Sequence, residues 1–174
     1  MRALDLGSGK TQVSKHLWPE CEIVTVDMDP KSGATVTADV RHLPDLGQFD
    51  YVLASHVLEH LGRLEALPAV QHWMDYLLPG GQLHILVPDL EWAAEHIVLS
   101  DEPPTAQHLM HIYGLQTSEW EYHRSGYTAQ VLRSLLQRAG LKIERLESMP
   151  YLIQLPNVEP VRARQLYAIC TVSE

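Results

Sequence analysis

Two cysteines, Cys21 and Cys170, are too few to build a disulfide framework in a chain of 174 residues. Reduced thiols in a cytoplasmic compartment are the expectation. No apolar run approaches the roughly 18 residues needed to cross a bilayer, and the N-terminus has no signal-like segment. Neither a membrane partner nor export is therefore supported. Positive charge is also scarce: 13 Lys and Arg stand against 22 Asp and Glu, a formal net charge of −9. Such a chain has no general attraction for phosphate backbones, which disfavours nucleic acid as a substrate. Arg162 and Arg164 are the only close basic pair near the end, and they read as a surface pair. Repeats, low-complexity tracts and a second core are missing too. What remains is one domain, long enough for a proper core.

Two glycines are missing from the segment that otherwise says most. Met1 to Gly9 reads MRALDLGSG, an apolar strand running into an acid and two glycines. Glycines there let the backbone turn tightly and approach a ligand closely. Amides at the start of a following helix, expected over Thr11 to Trp18, would face a negatively polarised or polyhydroxylated group. A phosphate-cradling P-loop needs a glycine five positions before Gly9-Lys10-Thr11, and Leu4 stands there. ATP is excluded on spacing. The dinucleotide pattern G-x-G-x-x-G fits at Gly7 and Gly9 but has Gln12 at its third position, so that fingerprint is incomplete.

The next segments add acids at strand ends. After Pro19, the run Ile23-Val24-Thr25-Val26 ends in Asp27, 20 positions beyond Gly7. In a βαβ unit this carboxylate sits beside the glycine loop, where it can accept two hydrogen bonds from a ribose diol. A third strand, Ala34 to Ala38, ends in Asp39 and Val40. That acid could accept from an exocyclic adenine amine.

LDLGSG, VTVDMDP, TADVRHLPD, FDYVLASHVLEHL and LLPGGQLHILVPD, in this order and spacing, resemble class I S-adenosylmethionine-dependent methyltransferases of the methyltransferase type 11-like kind. The resemblance is strong from Leu4 to Asp89 and looser beyond. It implies S-adenosyl-L-methionine as cofactor. Asp5, Gly7 and Gly9 would lie under its methionine part, Asp27 on the ribose and Asp39 on the adenine amine. Met28 and Val40 would flank the ring, and Ser55 and His56 would stand beside the sulfonium. Relatives often have a third glycine where this chain has Thr11, which could instead cap the next helix.

The remaining pattern predicts an α/β fold: a Rossmann-like, doubly wound, mostly parallel sheet of about seven strands with one antiparallel edge strand. Phe49 to Ala54 and Gln82 to Val87 suit buried strands. Leu64, Leu67, Val70, Met74 and Leu77 mark a helix stopping at Pro79-Gly80-Gly81. Leu90 to Val98 marks another, and Leu132 to Ala139 a third, capped by Gly140. Two strands close the chain, near Leu141 to Leu146 and Gln165 to Val172.

His56-Val57-Leu58-Glu59-His60 matches H-x-x-E-H, the inverted zinc-protease motif, and a zinc hydrolase is the least favoured reading. No downstream glutamate motif supplies a third ligand, and the segment follows an apolar strand, so no metal is expected. His108 and His111 read as helix-surface or pocket residues. For methyl transfer, His56 and His123 are the candidate bases, because histidine titrates near working pH. Tyr122-His123-Arg124-Ser125-Gly126-Tyr127 lies in an insertion from about residue 100 to 127, a candidate substrate lid in which His123, Arg124 and Tyr127 would meet the acceptor. The same residues could equally anchor the loop. In relatives, helices ahead of the first strand commonly cover the cofactor, whereas Leu4 already lies in that strand here. The insertion, or a second subunit in a homodimer, is expected to provide the cover. The expected acceptor is a small molecule or saccharide. A non-catalytic S-adenosylmethionine- or nucleotide-binding module remains the alternative.

Overall fold

The computed structural model describes residues 1–99, 106–153 and 160–173. Seven strands, β1 (Arg2–Leu6), β2 (Glu22–Asp27), β3 (Val36–Thr37), β4 (Phe49–Ser55), β5 (Leu77–Pro88), β6 (Leu141–Ile153) and β7 (Val161–Val172), form one sheet in the order β3-β2-β1-β4-β5-β7-β6. The first five are mutually parallel, and β7 runs antiparallel to both β5 and β6. The mostly parallel sheet expected from the alternating pattern is present. Its reversed strand is β7, inserted between β5 and the edge strand β6.

Order reverses between β1 and β4: the chain first builds outward through β2 and β3, then returns to add β4 and β5 on the other side. Crossovers on either side leave a crevice beyond the carboxyl ends of β1 and β4, where open α/β sheets bind ligands. Strand β1 is buried on both faces from Ala3 to Leu6, as a central parallel strand must be. Leu4, Leu6, Val52, Ala54, Leu83 and Ile85 form the middle of the core.

Five helices are described: α1 (Ser14–Leu17), α2 (Ala66–Met74), α3 (Leu90–Leu99), α4 (Ala106–Tyr113) and α5 (Ala129–Ala139). The apolar stripe on α5 buries Leu132 and Leu136, with Thr128 accepting from the Val131 amide at its start. Trp73 on α2 is fully buried, and its indole Nε1 donates to the Val40 carbonyl, 2.8 Å away. That bond ties the loop after β3 to the core.

Three expectations change. The helix after the glycine loop is a single turn, so a helix dipole contributes little there. Thr11 does not cap it; the Asp5 carboxylate, reaching from β1, accepts from both the hydroxyl and the amide of Ser14. Helix α2 stops at Met74 rather than at Pro79-Gly80-Gly81. Leu77 already pairs with Phe49, and the Pro-Gly-Gly stretch lies inside β5, where the register against β4 shifts. A leucine three residues past Met74 satisfies a helical stripe and a strand equally well. In the 100–127 insertion, the first six residues lie outside the described part, and a helix, α4, follows.

Candidate active site

Strand β1 ends at Leu6, and the chain turns through Gly7 with φ +62°. A Cβ on Gly7 would stand 2.6 Å from the Cγ2 of Val57, which follows β4, so the two strand ends approach too closely for any side chain. Gly9 also has positive φ, but a Cβ there would meet nothing within 4 Å. Its side of the loop is open. The Gly9 amide donates to Asp27 Oδ2 at 2.8 Å, and Asp27 Oδ1 accepts from the Asp29 amide at 2.8 Å. The end of β2 thereby holds the glycine loop in place. Each Asp27 oxygen keeps a further lone pair for a ligand hydroxyl.

A cavity of about 510 Å³ opens over this loop. Gly7, Gly9, Asp27, Met28, Asp39 and Val40 line it, six of the residues expected to hold the cofactor. The open face at Gly9 and the carboxylate beside it fit a nucleoside carrying a ribose diol and an extended tail. Asp39 is already engaged: the Arg41 Nε lies 3.0 Å from both its oxygens and Nη2 lies 2.6 Å from Oδ2. This guanidinium holds the Asp39 carboxyl below the usual carboxylate range. Arg41 Nη1 continues to Glu65, so Asp39 and Arg41 on the cavity wall belong to an ionised relay of three side chains.

At the carboxyl end of β4 the backbone of His56 adopts φ +55°, unusual for a residue with a Cβ. Its amide donates to the Leu86 carbonyl, which directs the ring into the crevice. Nδ1 lies 3.0 Å from Glu59 Oε1 and Nε2 lies 2.9 Å from Gln165 Oε1. Burial opposes charge on this ring, but the Glu59 carboxylate and Gln165 hold its pKa above the ordinary histidine value. With both nitrogens donating, His56 has no lone pair to accept a proton. Glu59 is 1% exposed. Burial disfavours its charge, yet the His56 ring, helped by His60 and His123, holds its carboxyl below the usual range.

A second cavity, of about 360 Å³, lies on the other side of His56 and His60, which line both spaces. Glu59, His111, His123 and Tyr151 line this one. Burial pushes the His123 pKa down, which favours a neutral imidazole. Ser118, Glu119, Trp120, Glu121 and Arg124, all from the insertion, line the glycine-loop cavity. The Arg124 and Ser125 amides both donate to the Glu59 carbonyl, which moors the segment.

The structure therefore brings Gly7, Gly9, Asp27, Met28, Asp39, Val40, His56 and Arg124 around one space and places His123 behind it. Three expected residues stand apart. Asp5 is buried against Ser14, and burial raises its pKa. Ser55 ends β4 opposite Leu86 and lines neither cavity. Tyr127 is buried with its hydroxyl 3.4 Å from the Leu58 carbonyl, and its backbone bridges to Asp89. That bridge makes it an anchor for the insertion rather than an acceptor contact. Arg41 and Gln165 have no signal in the sequence; one is a lone base two residues past an acid, the other a polar position in a distant strand. The H-x-x-E-H segment is not a helical ligand pair, because Leu58–His60 is one 3-10 turn and His56 points to Gln165. His111 faces the second cavity, while the side chain of His108 lies outside the described part.

A family model described as a methyltransferase domain matches residues 1–146. A search of the curated proteins finds no match. Solved structures share the fold. A protein that converts a disulfide bond into a thioacetal group in echinomycin biosynthesis is similar with a TM-score of 0.71 and 18% identity, over 99% of this chain and 75% of that one. An S-adenosylmethionine-dependent methyltransferase from Methanosarcina mazei aligns with a TM-score of 0.68 and 13% identity, over 99% and 93% of the two chains. The 1,6-didemethyltoxoflavin-N1-methyltransferase of Burkholderia thailandensis, solved with 1,6-didemethyltoxoflavin and S-adenosylhomocysteine, gives 0.64 and 17%, over 99% and 71%.

Proposed function

Because the chain belongs to the methyltransferase-domain family, whose cofactor is S-adenosyl-L-methionine, we propose that it methylates a small-molecule acceptor held in the second cavity. One observation carries this reading: His56, His60 and Glu121 line both the glycine-loop cavity and a smaller one beside it. A donor in one cavity and an acceptor in the other can thus meet where the two adjoin. A space of about 360 Å³ suits a small molecule rather than a polymer. The 1,6-didemethyltoxoflavin-N1-methyltransferase, similar in fold and solved with 1,6-didemethyltoxoflavin bound, supports the same class.

S-adenosyl-L-methionine supplies, when bound, an electrophilic methyl group on sulfur. The chain's own work is then mainly alignment, which can lower a barrier by about 7–11 kcal/mol in the best cases. Gly7 and Gly9 allow close approach, Asp27 accepts from the ribose hydroxyls, and Met28 and Val40 flank the base. The ionised Asp39–Arg41 pair presents its carboxylate edge to the adenine side. His56, with both ring nitrogens held by Glu59 and Gln165, is a positioning residue where the two cavities adjoin. A proton leaving an acceptor hydroxyl or amine goes to a neutral imidazole; burial lowers the pKa of both His111 and His123, which line this cavity, and His123 takes that role only while its Nε2 is free of any other partner.

An assay with labelled methyl donor across phenols, hydroxylated heteroaromatics, amines and sugars tests the reading. Turnover on at least one small acceptor is the expected result. S-adenosylhomocysteine binding without turnover on any class would point instead to a non-catalytic binding module. The insertion's role as cover has its own test. Trp120 is 48% exposed yet lines the cofactor-side cavity. Trp120→Ala should weaken S-adenosylhomocysteine binding about tenfold, the scale of one aromatic contact, with an unchanged melting temperature. An unchanged affinity would remove the segment from that role.

A further inference from the structure

We propose that Glu59, His60 and His123 form a binding site for one divalent first-row transition-metal ion, set in the wall between the two cavities. One donor atom from each residue lies within 4.8 Å of the other two. A four-coordinate ion with ligands at about 2.0–2.1 Å spaces them about 3.4 Å apart, a closure that small rotations of two imidazoles can supply. Three further observations point the same way.

First, Glu59 is buried, and its Oε2 has no hydrogen-bond partner. Its other oxygen is satisfied by His56. An unpaired carboxylate oxygen in a buried position is costly, and a cation is the partner that best offsets that cost. Second, the tautomers of both histidines are set for ligation. His60 Nδ1 lies 3.2 Å from the Tyr122 carbonyl, and His123 Nδ1 lies 3.2 Å from the His111 carbonyl. A carbonyl only accepts, so each Nδ1 carries the proton and each Nε2 keeps its lone pair. A backbone carbonyl holding the far ring nitrogen is the outer-shell arrangement of metal-bound histidine. Third, the two rings stand edge to face with centroids 5.0 Å apart beside the same cavity, and the moored Arg124–Ser125 backbone holds their segments together.

Two imidazoles and one carboxylate suit zinc, manganese, iron or cobalt rather than calcium or magnesium. Three protein ligands leave at least one position open toward the second cavity, the pattern of a reactive rather than a sealed site. The third ligand comes from 63 residues beyond His60. The ion would select acceptors that offer it an oxygen or nitrogen lone pair. That last point rests on the methyl-transfer reading; the metal site itself does not.

The test uses the full chain, stripped with a chelator, dialysed and titrated with cobalt(II) alone while its visible d–d absorption is followed. One equivalent bound in a low-symmetry, four- or five-coordinate spectrum is expected, and zinc should displace it. His60→Ala and His123→Ala should each weaken cobalt binding by at least the ten- to hundredfold that even an outer-shell loss costs, about as in other metal sites. Glu59→Gln, which keeps size and shape, should do the same and guards against a variant that fails to fold. His123 does not line the cofactor-side cavity, so His123→Ala should keep S-adenosylhomocysteine affinity. Less than stoichiometric binding, or cobalt affinity indifferent to all three changes, would overturn the site. Stoichiometric cobalt with no S-adenosylhomocysteine binding would leave the site standing and fail the methyl-transfer reading instead.

Discussion

Asp27→Ala should weaken S-adenosylhomocysteine binding by about a hundredfold or more, and Asp27→Asn by about tenfold. The two oxygens of Asp27 already hold the Gly9 and Asp29 amides, and their free lone pairs face the cavity. A hydrogen bond to a charged acceptor contributes about 1.5–3 kcal/mol, and a ribose diol makes two. Alanine removes both and releases the Gly9 amide, so loop and ligand lose their support together. Asparagine keeps one acceptor oxygen and turns the other into a donor, which leaves one ribose bond intact. A graded loss from wild type through asparagine to alanine, read by calorimetric titration, is the signature of this role. Equal, small losses in both variants would mean that Asp27 only shapes the loop.

Acid should destabilise the protein between pH 6.5 and 4, and His84→Leu should remove up to about 3 kcal/mol of that change. His84 is 5% exposed on β5, with Trp18, Tyr51 and Tyr167 rings around it and Nδ1 2.7 Å from the Tyr167 hydroxyl. No carboxylate bonds to this ring, and burial pushes its pKa down to about 4 from 6.5. Below pH 6.5 the unfolded chain takes up a proton that the folded chain refuses until about pH 4. Protons therefore favour unfolding in that window, and the full stability is present above pH 6.5. His111 is also pushed down to about 4 by burial, so the variant keeps part of the slope. Urea unfolding at pH 7, 5.5 and 4.5 reads the effect. Parallel slopes for wild type and variant would show that His84 is protonated at no cost in the fold.

The glycine-loop side of the candidate site is legible in the sequence because local chain geometry makes it. A strand, two glycines and a carboxylate 20 residues beyond Gly7 lie in one crossover unit, whose handedness and length leave little choice of position. Asp5 shows the limit of that logic. A carboxylate at a strand end can face the ligand or the core, and here the Ser14 hydroxyl turns it inward. Tyr127 is misjudged for a related reason: a polar, aromatic stretch reads as a binding loop, but its backbone pairing with Asp89 buries the ring. The second cavity depends on contacts between distant segments. His56 meets Gln165 across 109 residues, and His123 reaches Glu59 and His60 only because the insertion's backbone is moored to the Glu59 carbonyl. Periodicity carries no information on such meetings. The H-x-x-E-H run contributes Glu59 and His60 to the cluster with His123. Its reading as a helical ligand pair fails because the segment is a single 3-10 turn, and the histidine beside Glu59 and His60 comes from the insertion.

Calorimetric titration of the wild-type chain with S-adenosylhomocysteine tests the central claim most directly. One site per chain, with an affinity that S-adenosylmethionine matches and ATP and NAD do not, is the result expected from a glycine loop closed by Asp27. No heat of binding, or equal binding of ATP or NAD, would contradict it.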